Sequence, residues 1–264
     1  GHEFIGIVEY APSKELIGKK VVGEINVGCG KCEYCLKGLE RHCPHRTVLG
    51  ILKRNGVFAE YTTLPEKNLY IIPPDIKDLE AVFIEPLASS FEIAEMVHLE
   101  PDEEILIFGD GKLGLLISQV MKYYTKEVIL VGKHPEKLSL ANKWGIKTFH
   151  LDQIHNIGKF KYVIEATGTQ NGFLSAVSHV RPRGYLILKS TTAQGTLLNL
   201  SPIVVDEIHL IGTRCGPFKP AIEALKKKYI DIKDMISEIY PLKEYEKAFL
   251  KNDDKSSVKI LLRI

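Results

Sequence analysis

Four of the five cysteines in the sequence lie close together, with a spacing that suits a bound metal ion. Cys29, Cys32, Cys35 and Cys43 form a Cys-x2-Cys-x2-Cys-x7-Cys pattern, and glycines on either side of the first cysteine let the loop bend. Four thiolates can surround Zn²⁺ at about 2.3 Å in a tetrahedron, which leaves no position for water or substrate. The pattern therefore predicts a structural zinc site.

Other uses of this cluster suit the sequence less well. A disulfide framework spreads its cysteines along a small secreted chain, and a redox Cys-x-x-Cys motif needs only two of them. A zinc module that binds nucleic acid is usually basic, whereas this chain has a net charge of +2, with 35 Lys and Arg against 33 Asp and Glu. Nucleic acid is therefore not an expected partner.

A second motif has the chemistry of a phosphate-binding loop. Gly109-Asp110-Gly111-Lys112-Leu113-Gly114 is a G-x-G-x-x-G sequence that follows an apolar strand and opens an apolar-faced helix. Its glycines allow a tight turn, close approach of backbone to a pyrophosphate, and close packing of helix on strand. The alternative is an ordinary strand-to-helix turn, but the surrounding strand-helix-strand pattern favours dinucleotide binding.

The end of the following strand bears on the choice of cofactor. An acidic residue about 20 positions beyond the glycine loop usually binds the ribose hydroxyls of NAD, and this position holds Gly132, followed by Lys133 and His134. With no carboxylate to repel a 2′-phosphate, and with Lys133 and His134 alongside, we expect NADP to be preferred over NAD. The alternative is that Lys133 faces solvent and the backbone binds the ribose.

A histidine and two glutamates form a third, weaker signal. His2 and Glu3 stand at the start of the sequence, and Glu85 precedes Pro86. By themselves these residues need no functional explanation. His2 could be an exposed terminal residue, and Glu85 could be an acidic residue at the N-terminus of a helix whose first turn contains Pro86.

The elements that must position these residues change in type along the chain. The first part has strand-like segments at 4–10 and 20–25, and Asn55-Gly56 predicts a hairpin that joins strands 47–52 and 56–63. From residue 103 onward, strands at 105–108, 127–131, 147–150, 162–165, 185–188 and 208–211 are interspersed with helices such as 113–124 and 135–144. This alternation predicts an α/β fold with a doubly wound parallel sheet, and a helix at 242–250 and a strand at 258–262 close the chain.

Size and hydropathy fit a folded globular protein. The 264 residues, 45% of them hydrophobic, suffice for one large or two ordinary domains. No apolar run reaches the length of about 18 residues that spans a bilayer, and the first residues lack the pattern of a signal peptide. We expect a cytoplasmic protein that does not bind membranes.

Taken in order, the motifs resemble the zinc-dependent medium-chain dehydrogenase/reductase (alcohol dehydrogenase) family, and its polyol and threonine dehydrogenase branch in particular. That branch carries Glu before Pro-Leu where classical alcohol dehydrogenases have a cysteine ligand. The matching motifs are Gly-His-Glu at 1–3, the four-cysteine loop, Gly56-Val57-Phe58-Ala59-Glu60-Tyr61, Glu85-Pro86-Leu87-Ala88, the glycine loop and Glu165-Ala166-Thr167-Gly168.

The resemblance implies a fold and a domain division. A GroES-like catalytic domain with the zinc lobe would occupy residues 1–87, a Rossmann dinucleotide-binding domain 88–212, and a return to the catalytic domain 213–264. It also implies an oxidoreductase that passes hydride between a secondary alcohol or polyol and NAD(P). An alternative is a non-catalytic protein that binds a dinucleotide and zinc, or an inactive fragment of such an enzyme.

The resemblance also gives roles to single residues. His2, Glu3 and Glu85 would hold a catalytic zinc, with Glu3 either a ligand or an exchangeable neighbouring carboxylate. Cys215 stands where nicotinamide contacts are implied and is expected to be a small packed residue rather than a ligand. The expected cofactor contacts are Gly109, Gly111, Lys112, Leu113, Gly114, Gly132, Lys133, His134, Thr167, Gly168, Gly212 and Arg214.

Two further expectations concern completeness and assembly. Family members have a segment before Gly-His-Glu that carries a cysteine ligand, so we expect this chain to bind dinucleotide but to oxidise alcohols poorly. The strand 208–211 is apolar apart from His209 and is expected at the edge of the sheet, where it could pair with a second copy. We therefore expect a homodimer or homotetramer.

Overall fold

The computed structural model describes residues 1–191 and 199–264. The first 74 residues form two small antiparallel sheets, and a short helix connects the two strands of the second sheet. One sheet has the order β1-β2-β5 and the other pairs β3 with β4. The elements are β1 (Gly6–Ile7), β2 (Lys20–Gly23), β3 (Asn26–Val27), α1 (Glu33–Leu36), β4 (Thr47–Val48) and β5 (Leu69–Ile71).

The hairpin predicted around Asn55-Gly56 is wrong. The strand β4 is two residues long and pairs with β3, and residues 56–63 form no strand. The backbone of this segment is taken up elsewhere, because the Val57 N–H donates to the Gly1 carbonyl at 3.0 Å. Gly50 has φ +67°, and a Cβ on Gly50 or Gly56 would lie within 2.4 Å of that same carbonyl oxygen. Residues 47–57 therefore wrap around Gly1, and their own pairing is limited to a single antiparallel bridge between Val48 and Leu52 and a few backbone hydrogen bonds beside it.

Two helices connect this part to the large sheet. They are α2 (Asp78–Ala81) and α3 (Ile84–Met96). The long helix α3 places Pro86 in its first turn, where the missing N–H costs nothing. One face of α3 is fully buried, with Ile84, Leu87 and Ile93 at 0% exposure.

The large sheet confirms the predicted parallel α/β fold. Its six strands are all parallel and have the order β11-β10-β9-β6-β7-β8. Residues such as Ile105, Leu106 and Ile107 are fully buried on both faces, as expected when helices cover both sides of a sheet. The elements are β6 (Glu104–Phe108), α4 (Lys112–Met121), β7 (Glu127–Gly132), α5 (Pro135–Lys143), β8 (Lys147–His150), β9 (Phe160–Glu165), α6 (Gln170–Ser178), β10 (Val180–Leu188), α7 (Ser201–Val205) and β11 (His209–Gly212).

The last part of the chain, from helix α8 (Phe218–Lys226) onward, packs against earlier parts of the chain. Helix α8 packs on α3, and the strands β12 (Ile236–Pro241) and β13 (Lys259–Arg263) form a parallel pair with α9 (Tyr245–Asn252) beside it. At the start of β13 the Lys259 ammonium contacts the Glu3 carboxylate. Within residues 1–191 and 199–264, no helix has the length and apolarity needed to cross a membrane.

Candidate functional site

The four predicted cysteine ligands come together in one lobe. The sulfur atoms of Cys29, Cys32, Cys35 and Cys43 all lie within 4.8 Å of one another, and none of these cysteines is in a disulfide. In a regular tetrahedron with bonds of about 2.3 Å, neighbouring sulfurs are roughly 3.8 Å apart. The donor set and its spacing therefore fit a zinc ion with four thiolate ligands.

Local backbone geometry explains how a short loop gathers these sulfurs. Gly30 has φ +78°, a conformation that favours glycine, and a Cβ on Gly28 would lie 2.7 Å from the Cys35 sulfur. Backbone N–H groups of Cys29 and His45 point at the Cys43 sulfur at 3.4 and 3.3 Å. Such donors stabilise the thiolate form that a metal requires.

The thiols differ in their electrostatic surroundings. Backbone N–H groups of Lys31 and Cys32 lower the pKa of Cys29 to about 6. Burial raises the pKa of Cys35 to about 11. A cation in the centre of the cluster would favour the thiolate form of both.

The glycine loop has a distinct steric reason for each of its glycines. Gly109 has φ +116°, and a Cβ on Gly114 would lie 1.8 Å from the Gly109 carbonyl oxygen. At Gly111 a Cβ would meet nothing within 4 Å, so this backbone faces open space. Helix α4 begins at Lys112, directly after this opening, and points its free N–H groups at it.

The carboxylate of Asp110 fills the space beside Gly132. Its Oδ2 atom accepts the backbone N–H groups of Lys133 and His134, both at 2.7 Å, and Nδ1 of His134 lies 3.0 Å from its Oδ1. A Cβ on Gly132 would lie 2.3 Å from Oδ2. A carboxylate therefore does lie at the end of β7, although it comes from the glycine loop rather than from residue 132.

A buried glutamate shapes the loop that follows β9. Glu165 is 4% exposed, and its Oε1 accepts the backbone N–H of Thr167 at 2.7 Å and that of Gly168 at 3.1 Å. Its other oxygen contacts the Ser190 hydroxyl, after β10. The predicted cofactor residues Thr167 and Gly168 are thus held at the carboxyl ends of the parallel strands, where the glycine loop also lies.

The predicted cofactor residue Arg214 is turned toward the cysteine lobe. Its guanidinium donates to Asn26 Oδ1 at 3.3 Å and contacts the carbonyl of Arg41. In return, the Arg41 guanidinium donates to the Cys215 carbonyl at 2.7 Å and forms two contacts, of 2.7 and 2.9 Å, with the buried carboxylate of Glu92 on α3. These contacts join the lobe to α3 and to the loop after β11, where Gly212 ends the strand.

The second predicted metal cluster also assembles. One ligand atom from each of His2, Glu3 and Glu85 lies within 4.8 Å of the others, and His2 Nε2 is 3.7 Å from Glu85 Oε2. Three protein donors with room for a fourth ligand are typical of a catalytic rather than a structural zinc site. Glu3 also contacts Lys259, a residue only 5% exposed whose pKa burial lowers to about 8.

Burial and charge determine the protonation of this cluster. Burial raises the pKa of Glu85 to about 7, with a further increase from Glu24 and a decrease from Lys189. Burial lowers the pKa of His2, and the positive charges of Lys259 and Lys112 lower it further. Burial thus favours the uncharged forms of both side chains, and a cation between them would stabilise the ionised carboxylate of Glu85.

Lys189 and Cys215 lie beside this cluster without being part of the metal-ligand set. The Lys189 ammonium donates to the carbonyls of Ser89 at 2.6 Å and Arg214 at 2.8 Å, and burial lowers its pKa to about 8. Cys215 accepts a contact from Asn26 Nδ2 at 3.3 Å, and its side chain packs against the small core of the lobe, which consists of Ile25, Val48, Leu49 and Val57. This agrees with its expected role as a packed residue.

A cavity of about 770 Å³ adjoins the cluster. Its polar residues include His2, Glu3, Lys112 and Lys259, and much of the remaining wall is apolar, as in sites that bind small organic molecules. Lys112 belongs to the glycine loop, so one cavity brings the predicted cofactor loop and two of the predicted metal ligands together.

Sequence reasoning missed several charged residues of the site. Asp110, Lys189, Lys259 and Arg41 have partners between 23 and 256 positions away in the chain. Of these residues, only Asp110 could have been recognised from the sequence. Its acidic side chain lies in the glycine loop, and the next strand ends in a glycine that leaves space for it. The others could not be read from spacing.

Comparison with known proteins identifies both parts of the chain. Residues 1–74 match the family model of the alcohol dehydrogenase GroES-like domain, and residues 81–264 match that of the glucose dehydrogenase C-terminus. The D-arabitol-phosphate dehydrogenase of Enterococcus avium is 30% identical over an alignment of 283 positions, gaps included, that covers 99% of this chain and 80% of that protein.

Solved structures agree with this relationship. A zinc-binding dehydrogenase from Sinorhizobium meliloti bound to NADP superposes with a TM-score of 0.91 at 25% identity, over 100% of this chain and 83% of that one. An alcohol dehydrogenase from Escherichia coli CFT073 complexed with NADH gives the same TM-score, identity and coverage. With its cysteine lobe, glycine loop and parallel sheet, the chain belongs to the zinc-dependent medium-chain dehydrogenase/reductase family.

Proposed function

We propose that this protein oxidises a secondary alcohol or polyol, or reduces the matching ketone, with a nicotinamide dinucleotide as hydride carrier. The observation that carries the proposal is the shared cavity, where His2 and Glu3 face Lys112 of the glycine loop. The relative from E. avium is named for a polyol phosphate, which supports a polyhydroxylated substrate. The relatives are dehydrogenases, which favours the enzyme over a non-catalytic binding protein.

Two zinc sites with different tasks follow from the two clusters. We assign the structural ion to the four cysteines and the catalytic ion to His2, Glu3 and Glu85. Zinc at the second site supplies Lewis acidity, which lowers the pKa of an alcohol so that hydride transfer becomes feasible. The buried Lys259 contacts the Glu3 carboxylate and helps to fix its position, and His2 and Glu85 would supply the remaining donors.

The cofactor site is proposed to combine the glycine loop, the end of β7 and the Thr167–Gly168 turn. The N–H groups at the start of α4 face the opening at Gly111 and suit a pyrophosphate. The preference for NADP over NAD stays a prediction. Lys133 and His134 support it, whereas the carboxylate of Asp110 opposes it because it places a negative charge beside them.

The domain division and the assembly also stay proposals. We retain 1–87, 88–212 and 213–264 as the three segments, with α8 packed on α3 at the start of the last. Strand β11 forms one edge of the described sheet, as predicted, and Leu210 on it is 44% exposed. Pairing of two β11 strands would satisfy this open edge in a homodimer.

The test combines metal analysis with turnover. With zinc in excess, the wild-type protein should bind two zinc ions per chain, and its rate of polyol oxidation with NAD or NADP, which is expected to be low, serves as the reference. Glu85→Gln should lower turnover by at least about tenfold to a hundredfold, because even the loss of an outer-shell partner of a ligand costs that much, while the cysteine-bound zinc stays. Glu95→Gln, an exposed substitution on the same helix, is the matched control and should change neither quantity. Full turnover in Glu85→Gln would reject the assignment of the catalytic zinc.

A further inference from the structure

The end of β7 carries an anion-binding site that the protein itself has already filled. The backbone N–H groups of Lys133 and His134 both point at one oxygen, Oδ2 of Asp110, at 2.7 Å. Two successive N–H groups aimed at a single point suit a carboxylate or phosphate oxygen. Asp110 is 5% exposed and occupies this point from within the glycine loop.

The pairing depends on glycine at residue 132. A Cβ there would lie 2.3 Å from Oδ2 and 2.5 Å from the Cβ of Asp110, so any other residue would push this carboxylate away. In dinucleotide-binding folds the acidic residue that contacts the ribose hydroxyls stands at the end of the second strand. In this chain, that position is glycine and the acid reaches the same place from the neighbouring strand end.

The two oxygens of Asp110 differ in their partners. Oδ2 accepts both backbone N–H groups and lies 3.1 Å from Nδ1 of His134, whereas Oδ1 has only that same Nδ1 atom, at 3.0 Å, among the contacts of the described residues. A carboxylate oxygen has room for about two hydrogen bonds. Oδ1 can therefore accept a hydroxyl, but it repels a phosphate that approaches the same N–H groups.

We propose that Asp110 is a specificity-determining residue for the cofactor, which accepts a ribose hydroxyl and disfavours a 2′-phosphate by occupying the N–H groups of Lys133 and His134. His134 moderates this effect, because its imidazole is hydrogen-bonded to the carboxylate and is only part-buried. The proposal rests on the proposed dinucleotide site but not on which cofactor the wild-type protein prefers.

The experiment measures the ratio of the dissociation constants of NADP and NAD by calorimetry on the zinc-loaded protein. Asp110→Asn keeps the size and an acceptor for the N–H groups but removes the charge, and Asp110→Ser frees those groups. Both should shift the ratio toward NADP by about tenfold or more, equivalent to about 1.4 kcal/mol. Glu136→Gln removes an exposed charge two residues beyond His134 and should leave the ratio unchanged.

A second variant makes the opposite prediction. His134→Gln removes the partner of Oδ1 and should shift the ratio toward NAD, because the carboxylate then keeps more of its charge. On the Asp110→Asn background the same substitution should have no further effect, whereas a direct contact of His134 with the phosphate would give the full effect again and contradict its proposed action through Asp110.

The outcomes separate this inference from the proposed function. If neither dinucleotide binds the wild-type protein, the proposed function fails. If both bind, and the ratio stays within about twofold of wild type in a folded Asp110 variant, Asp110 does not set specificity. Should both Asp110 variants fail to fold, a ratio unchanged in His134→Gln overturns the inference.

Discussion

Loss of the Arg41 guanidinium should cost much of the stability of the protein and make that stability strongly pH-dependent. Arg41 lies in the cysteine lobe and contacts both carboxylate oxygens of Glu92, at 2.7 and 2.9 Å. The Glu92 side chain is 5% exposed and that of Arg41 27%, so water cannot replace the guanidinium at the carboxylate. Arg41→Met keeps most of the apolar stem and removes only the charged group.

The loss of stability in Arg41→Met depends on how the unpaired Glu92 carboxylate responds. A buried charge without its partner typically costs 3 to 5 kcal/mol, but Glu92 can instead take up a proton. With an unfolded pKa of about 4.3, holding it protonated costs about 3.7 kcal/mol at pH 7 and about 1.6 kcal/mol at pH 5.5. The smaller cost prevails, so we expect a loss of about 3 to 4 kcal/mol at pH 7.

The sign of the pH dependence is fixed by the direction of the pKa shift. Burial already raises the pKa of Glu92 above its usual value, despite the opposing effect of Arg41, and removal of Arg41 raises it further. The folded variant then binds more protons than the unfolded chain, so its stability falls as pH rises from the unfolded pKa to the folded one. The difference between variant and wild type should roughly halve between pH 7 and pH 5.5.

The assay is urea unfolding of the zinc-loaded protein between pH 5.5 and 8, with Arg41→Met, Glu92→Met and the double variant. Replacing both partners removes the buried charge, so the double variant should recover most of the stability lost in Arg41→Met. Lys37→Met breaks an exposed ion pair of 2.6 Å with Glu33 in the same lobe and should cost at most about 0.5 kcal/mol. A pH-independent loss below about 1 kcal/mol in the free energy of unfolding of Arg41→Met would refute the reasoning, because an unpaired buried charge costs more than this.

Four further outcomes are expected. Cys32→Ser should release the structural zinc and lower the melting temperature, whereas Cys215→Ser should leave the zinc content unchanged; metal analysis distinguishes them. Gly114→Ala should destabilise the fold by about 1 to 3 kcal/mol, because its Cβ would lie 1.8 Å from a carbonyl oxygen, but Gly111→Ala should keep the melting temperature and lose dinucleotide affinity. Leu210→Glu should yield monomers in light scattering, and Leu174→Glu, at a site of similar exposure (43% against 44%), should not; a wild-type monomer at high concentration would contradict the proposed dimer. Zinc binding at His2, Glu3 and Glu85 should weaken as pH falls below about 7, because protons then compete for the Glu85 carboxylate; calorimetry at pH 6 and pH 8 measures this, and equal affinities would contradict it.

Features whose chemistry is local could be predicted from the order of the amino acids. Cys29, Cys32, Cys35 and Cys43 lie within 15 consecutive residues, so their spacing alone limits how far their sulfurs can separate. The glycine loop likewise has its strand, turn and helix in one continuous segment. The alternation of strand-like and helix-like segments along the sequence predicted the parallel sheet. In each case the physical constraint acts between neighbours in the chain.

Contacts between residues far apart in the chain became visible only in the folded protein. Folding brought Glu85 to His2, Lys259 to Glu3 and Arg41 to Glu92, and it turned Arg214 toward the cysteine lobe. The predicted hairpin at Asn55-Gly56 does not form, because the N–H of Val57 donates to the carbonyl of Gly1 instead. Burial is a property of the assembled fold, so the raised pKa of Glu85 and the charge that Asp110 places beside Gly132 could not follow from spacing along the chain.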